Sequence, residues 1–147
     1  MRPSLEFAPT VWDPHTKKGT DRIEMVQRRA ARYVLNRYHN TSHVTEMLEG
    51  LKWPTLEERR KNYRLTMMYK ISNNLVATSG RGHINLISSK SRHHNSCAYE
   101  IHSGPAYYTN SFYQRTIREW NKLPDTTVKA RSLDEFKASL LAAQQSN

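Results

Sequence analysis

The chain has 147 residues, with 23 lysines and arginines against 13 acidic residues, a net charge of +10 and a pI of about 9.9. That length suits one domain, or one small domain with a tail, and the charge makes an anionic partner the first expectation, against the alternative of a solvated basic surface. One cysteine, Cys97, excludes an internal disulfide framework; no run approaches the ~18 apolar residues of a membrane span, and Met1 to Phe7 lack a signal-peptide core, so a soluble intracellular protein is expected.

Residues 1–19 hold Trp12 between Pro9 and Pro14 and end in Lys17-Lys18-Gly19. They start inside an apolar segment, which reads as entry part-way through a larger unit. From Asp21 to Arg37 a helix is expected, with Asp21 and Glu24 as a capping box and Ile23, Val26, Ala30 and Val34 as the core stripe. Arg28, Arg29 and Arg32 fall on the other side as a basic ridge, and Tyr38, His39 and Asn40 end the helix. A short helix from His43 to Glu49 follows Ser42 and stops at Gly50. Thr55 and Glu58 form a capping box directly after Pro54, opening a helix with Leu56, Tyr63, Met67 and Ile71 on one stripe. Leu65, Met68 and Tyr69 make its second half apolar most of the way round, so Leu65 to Ile71 is the expected central core. Its first half carries Arg59, Arg60, Lys61 and Arg64, expected to be exposed.

Between Ser72 and Asn110 helical periodicity disappears. Ile84 to Ile87 and Ala98 to Ile101 read as short strands that can pair as a hairpin. The stretch from Ser111 to Pro124 is the most fully specified. Ser111 and Gln114 have capping-box spacing, Tyr113, Ile117 and Trp120 share one face, and Pro124 stops the helix. Residues 125–131 read as a linker, and Ser132 with Glu135 caps a last helix bearing Leu133, Phe136 and Leu140. Residues 20–74 carry eleven basic and six acidic residues, a net +5 that is half of the total.

No reaction centre is legible. Aspartates stand only at positions 13, 21, 125 and 134, with no adjacent pair and no acidic cluster at metal-binding spacing. His94, Cys97 and His102 match part of a zinc-knuckle spacing, but the fourth position falls on Tyr107, so no metal and no cofactor is expected. Gly80-Arg81-Gly82 is too short for a phosphate loop. Nucleic acid remains: Arg28, Arg29, Arg32, Arg59, Arg60, Lys61 and Arg64 are the expected phosphate-binding residues, against a solvated helix face. Tyr107 and Tyr108 can stack on unpaired bases, with core packing as the competing reading for them and for Trp120.

The motifs together resemble the thumb and C-terminal region of reverse transcriptases from non-LTR (LINE-type, jockey-like) retrotransposons. The matching residues are Arg2-Pro3, Leu5-Glu6-Phe7-Ala8, Val11-Trp12-Asp13-Pro14-His15, Glu24, Gln27-Arg28-Arg29-Ala30-Ala31-Arg32, Leu56, Arg59-Arg60, Leu65, Tyr69-Lys70-Ile71, Ser111-Phe112, Arg115-Thr116-Ile117, Trp120-Asn121, Leu123-Pro124 and Leu133 with Phe136-Lys137. Trp12, Tyr113, Ile117, Trp120 and Pro124 are its structural marks, while Tyr113-Gln114 stands where the family often has Phe-Pro. The resemblance implies a fragment of an RNA-directed DNA polymerase that lacks the palm aspartates. Such a fragment is not itself an enzyme and would bind RNA or an RNA–DNA duplex. It would work in the nucleus or in a cytoplasmic ribonucleoprotein. The alternatives are an interaction module docking on the missing palm domain or a host protein, and a functionless remnant reading frame. The expected fold is mainly α: an entry segment (1–19), a basic thumb-like helical bundle (20–74), an irregular segment with the short hairpin (75–110) and a C-terminal helical pair (111–147).

Overall fold

The computed structural model describes residues 9–10, 13–38, 43–78, 82, 84–87 and 96–145. Among them are seven helices: α1 (Lys17–Leu35), α2 (Val44–Gly50), α3 (Leu56–Ser72), α4 (Ala106–Thr109), α5 (Phe112–Trp120), α6 (Asp125–Val128) and α7 (Leu133–Gln145). The fold is mainly helical, a small bundle as expected. It divides into two compact units, residues 1–61 and 62–147. Trp12 lies outside the described residues, as do His39, Asn40 and Ser42.

In the first unit α1 starts at Lys17, a turn ahead of the Asp21 start that the sequence suggests. Thr16, in extended conformation, caps it by accepting a bond from the Gly19 amide at 3.3 Å. A Cβ at position 19 would fall 2.8 Å from Pro14 Cβ, so glycine alone fits there without moving Pro14. Relieved of capping its own helix, Glu24 serves another: its Oε1 accepts from the Glu57 amide at 2.8 Å. Thr55 Oγ1 accepts from the Glu58 amide at 3.2 Å, as its capping-box spacing predicts. Two first-turn N–H groups of α3 are thereby satisfied, one from its own sequence and one from α1.

The buried residues of α1 are Gln27 and Ala31, while Ile23, Val26 and Ala30 are half-buried and Val34 is exposed. The expected apolar stripe is thus displaced. Gln27 enters with its Nε2 donating to the Pro54 carbonyl at 2.9 Å, which offsets part of the cost of burying an amide, while its Oε1 is shielded with no hydrogen-bond partner among the described residues.

The second unit is built on the apolar half of α3. Leu65, Met68, Tyr69 and Ile71 are buried as predicted, although Tyr63 is exposed. Tyr69 stacks on Phe136 of α7 with ring centroids 4.5 Å apart, and Phe136 stacks on Trp120 of α5 at 5.8 Å. Ile117 and Trp120 are buried and Tyr113 half-buried, which is the face predicted for this helix. The Ser132 cap forms too: Ser132 Oγ accepts from the Glu135 amide at 3.1 Å, and Glu135 reaches back to the Arg131 amide at 2.8 Å.

Three readings of this unit are corrected. Ser111 makes no side-chain cap bond, and the Gln114 side chain is buried and turned to other partners, so neither half of the capping box forms as expected. Residues 125–128 form α6, and Pro124 stands at its N-cap. The hairpin contracts, among the described residues, to one antiparallel bridge between Leu86 and Tyr99, with Ile87 N to Ala98 O and Glu100 N to Asn85 O both at 2.9 Å.

Side chains of and after α5 take the place of further strand partners along residues 96–102. Asn121 Oδ1 accepts from the Tyr99 amide at 3.0 Å and its Nδ2 donates to the Tyr99 carbonyl at 2.8 Å. Trp120 Nε1 donates to the Cys97 carbonyl at 3.0 Å, and Gln114 Oε1 accepts from the His102 amide at 3.0 Å. Asp125 accepts from the Ser96 amide; a bond from Lys129, and after it this one, hold its carboxyl below the usual range. Extended backbone without a neighbouring strand must still satisfy its polar groups, and these side chains do so. Asn121→Ala orphans both Tyr99 groups and should cost about 2–4 kcal/mol in denaturant unfolding, and Asn121→Asp should not recover that loss at neutral pH, because it sets a buried carboxylate oxygen against the Tyr99 carbonyl.

Three helices end on left-handed residues other than glycine: Asn36 (φ 50°), Lys52 (φ 52°) and Asn74 (φ 57°). After α2 the Lys52 amide bonds to Glu49 O and the Trp53 amide to Leu48 O, both at 2.9 Å, which is the Schellman pattern. Gly50, expected to stop this helix, is its last helical residue, and the turn comes at Lys52. Asparagine tolerates that conformation, whereas lysine meets the full steric cost. Lys52→Gly should therefore raise unfolding stability by about 0.5–1 kcal/mol.

Candidate nucleic-acid interface

The seven cations expected to hold phosphate separate into two groups. Arg28 and Arg29 of α1 are exposed, and they continue a series that includes the exposed Lys17, Lys18 and Arg22. Lys18, Arg22, Met25, Arg29 and Tyr33 follow one another at helical intervals and so line one side of α1. Asp21 is exposed beside the N-terminal end of this ridge. The first turn contains no acidic residue, so the two lysines there add to the positive end of the helix dipole. Arg32 differs: it is half-buried, and its Nε is shielded with no hydrogen-bond partner among the described residues. It lies in the last turn, where a cation complements the negative helix end.

On α3 the expected exposed ridge is corrected. Arg60 is 3% and Arg64 8% exposed, and Arg59 and Lys61 are half-buried. Leu56, Arg60, Arg64 and Met68 recur every four residues, and all four are buried, so the stripe that goes inward includes two arginines. The stripe through Leu56, Tyr63 and Met67 suggested by apolar residues alone misses this, because it assumes that arginine stays in water. Arg60 Nε lies 2.9 Å from the Asp13 carboxylate, itself 6% exposed. Burial pushes the Arg64 pKa down to about 10, with Arg115 adding repulsion and Glu119 opposing it. These two cations are withdrawn from the surface and are not presented to a phosphate.

The Asp13–Arg60 pair also gives a physical role to Asp13 near the start of the chain. Its detectable signal in the sequence is an aspartate followed by proline, upstream of an arginine pair, but no local spacing links the two. Tyr107 is 81% exposed, whereas Tyr108 is partly engaged, its hydroxyl accepting from Gln114 Nε2 at 3.4 Å. Among the described residues no group of three His, Cys, Asp or Glu side chains is placed to hold a metal ion, and no helix is long and apolar enough to cross a membrane. No known protein family, curated protein or solved structure matches the chain.

Removing one member of a buried ion pair leaves the other charged without compensation. Asp13→Ala should therefore cost on the order of 3 kcal/mol, and Asp13→Leu combined with Arg60→Met should recover most of that loss in the same unfolding measurement.

Proposed function

We propose that the chain is a non-catalytic part of an RNA-directed DNA polymerase of the non-LTR retrotransposon type, holding nucleic acid through its phosphate backbone. The observation that carries this reading is the exposed cationic ridge of α1, Lys18, Arg22, Arg28 and Arg29, on a chain with a net charge of +10. The sequence resemblance supplies the polymerase context. A palm domain outside this sequence would supply the metal-binding aspartates, and the nucleus or a cytoplasmic ribonucleoprotein would be the place of action. Contacts made by arginine to phosphate are independent of sequence, so RNA and RNA–DNA duplexes are the expected ligands. Arg60 and Arg64 play no part in this reading, which concentrates the interface on one helix.

A second reading, docking on a palm domain or host protein, draws on Val34, Leu35 and Tyr38, which stay exposed at the C-terminal end of α1. The polynucleotide reading is tested by fluorescence anisotropy with a labelled RNA–DNA hybrid over a salt series. Affinity should fall steeply with salt, and Arg22, Arg28 and Arg29 changed together to Ala should lower the log–log slope by about 2–3. Absence of binding at low salt, or an unchanged slope in the triple variant, sinks the proposal.

A further inference from the structure

We infer that the α1 ridge takes an unpaired strand, with Tyr33 as the platform on which one base stacks; this rests on the polynucleotide reading above. Tyr33 is 77% exposed, and Met25, on the same side of the helix, is exposed as well. Both stand within the cationic series. Tyr33 follows Arg29 by one turn, about 6 Å along the axis, and the whole ridge from Lys18 runs about 22 Å. A strand extended along it would pass its phosphates over Lys18, Arg22 and Arg29 and deliver a base to Tyr33.

An exposed phenol ring on a helix surface is costly to hydrate, and a base that covers it recovers that cost. Bases inside a duplex are already covered by their neighbours, and what a duplex offers to such a ridge is sugar and phosphate. An unpaired base has a free π-face, so the ring and cations together suit a single strand better than a duplex. Tyr107 is equally exposed, but it stands on the four-residue α4, Ala106–Thr109, which contains no cation. Phosphate neutralisation and stacking make no use of the 2′-hydroxyl, so RNA and DNA single strands should bind alike.

The test uses the full chain, with Tyr33→Ala and Tyr33→Phe variants, against three labelled ligands in anisotropy titrations. These are a ten-nucleotide single strand (as RNA and as DNA), an abasic strand of the same length and charge, and a duplex of the same length. Tyr33→Ala should weaken single-strand binding on the order of tenfold. Tyr33→Phe should bind like the parent, and neither variant should alter binding to the abasic strand or the duplex. Equal single-strand affinity for Tyr33→Ala and the parent overturns the stacking assignment while leaving the cationic interface intact. So does an equal loss on all three ligands, which would mark a general effect on the ridge. A parent chain that binds none of the ligands at low salt overturns both readings.

Discussion

The aromatic column of Tyr69, Phe136 and Trp120 sets the arrangement of the second unit. Each ring comes from a different helix, so stacking them joins α3, α7 and α5 in one step. Buried tyrosine and tryptophan need partners for their polar atoms. The Tyr69 hydroxyl donates to the Ala130 carbonyl at 2.8 Å and the Trp120 indole to the Cys97 carbonyl at 3.0 Å. Those two bonds hold the segment entering α7 and the extended segment after position 96. Leu65, Met68, Ile117, Val128 and Leu140 then close around the rings, and Tyr99 approaches Trp120 at 6.1 Å.

The extended segment shows how a helical unit can hold a strand-like element without a sheet. Gln114, Trp120, Asn121 and Asp125 lie on or just beyond α5, and their side chains meet successive backbone groups from Ser96 to His102. Asn121 matters most, since an amide presents a donor and an acceptor side by side and so imitates the edge of a neighbouring strand. The Trp-Asn pair at the end of an amphipathic helix is therefore one device: the indole fills the core while the amide next to it fixes the backbone alongside.

Charge in this chain has two fates, decided by packing. On α1, Lys18, Arg22, Arg28 and Arg29 remain in water, where the reach of their field is limited by salt. On α3, Arg60 and Arg64 are taken inward, Arg60 beside Asp13 and Arg64 with its pKa lowered by burial. A cation that has been desolvated among fixed partners has little left to offer a ligand. The count of arginines thus overstates the exposed positive surface, and the net charge of +10 is a weaker guide to it than the accessibility of each guanidinium.

Local chemistry by itself determined the helical class, the Thr55 and Ser132 caps, the core of Leu65, Met68 and Tyr69, and the shared face of Ile117 and Trp120. These depend on interactions within a turn or two of helix, and residue spacing encodes them directly. Tertiary structure alone decided that Glu24 caps α3 in place of α1, that Gln114 and Asn121 serve a distant backbone, and that Arg60 and Arg64 are buried while Arg28 and Arg29 are not. Each of these turns on a partner far away in sequence, as Asp13 is from Arg60. A polar side chain reads the same in a sequence whether water or a buried partner satisfies it, and only the folded chain settles which.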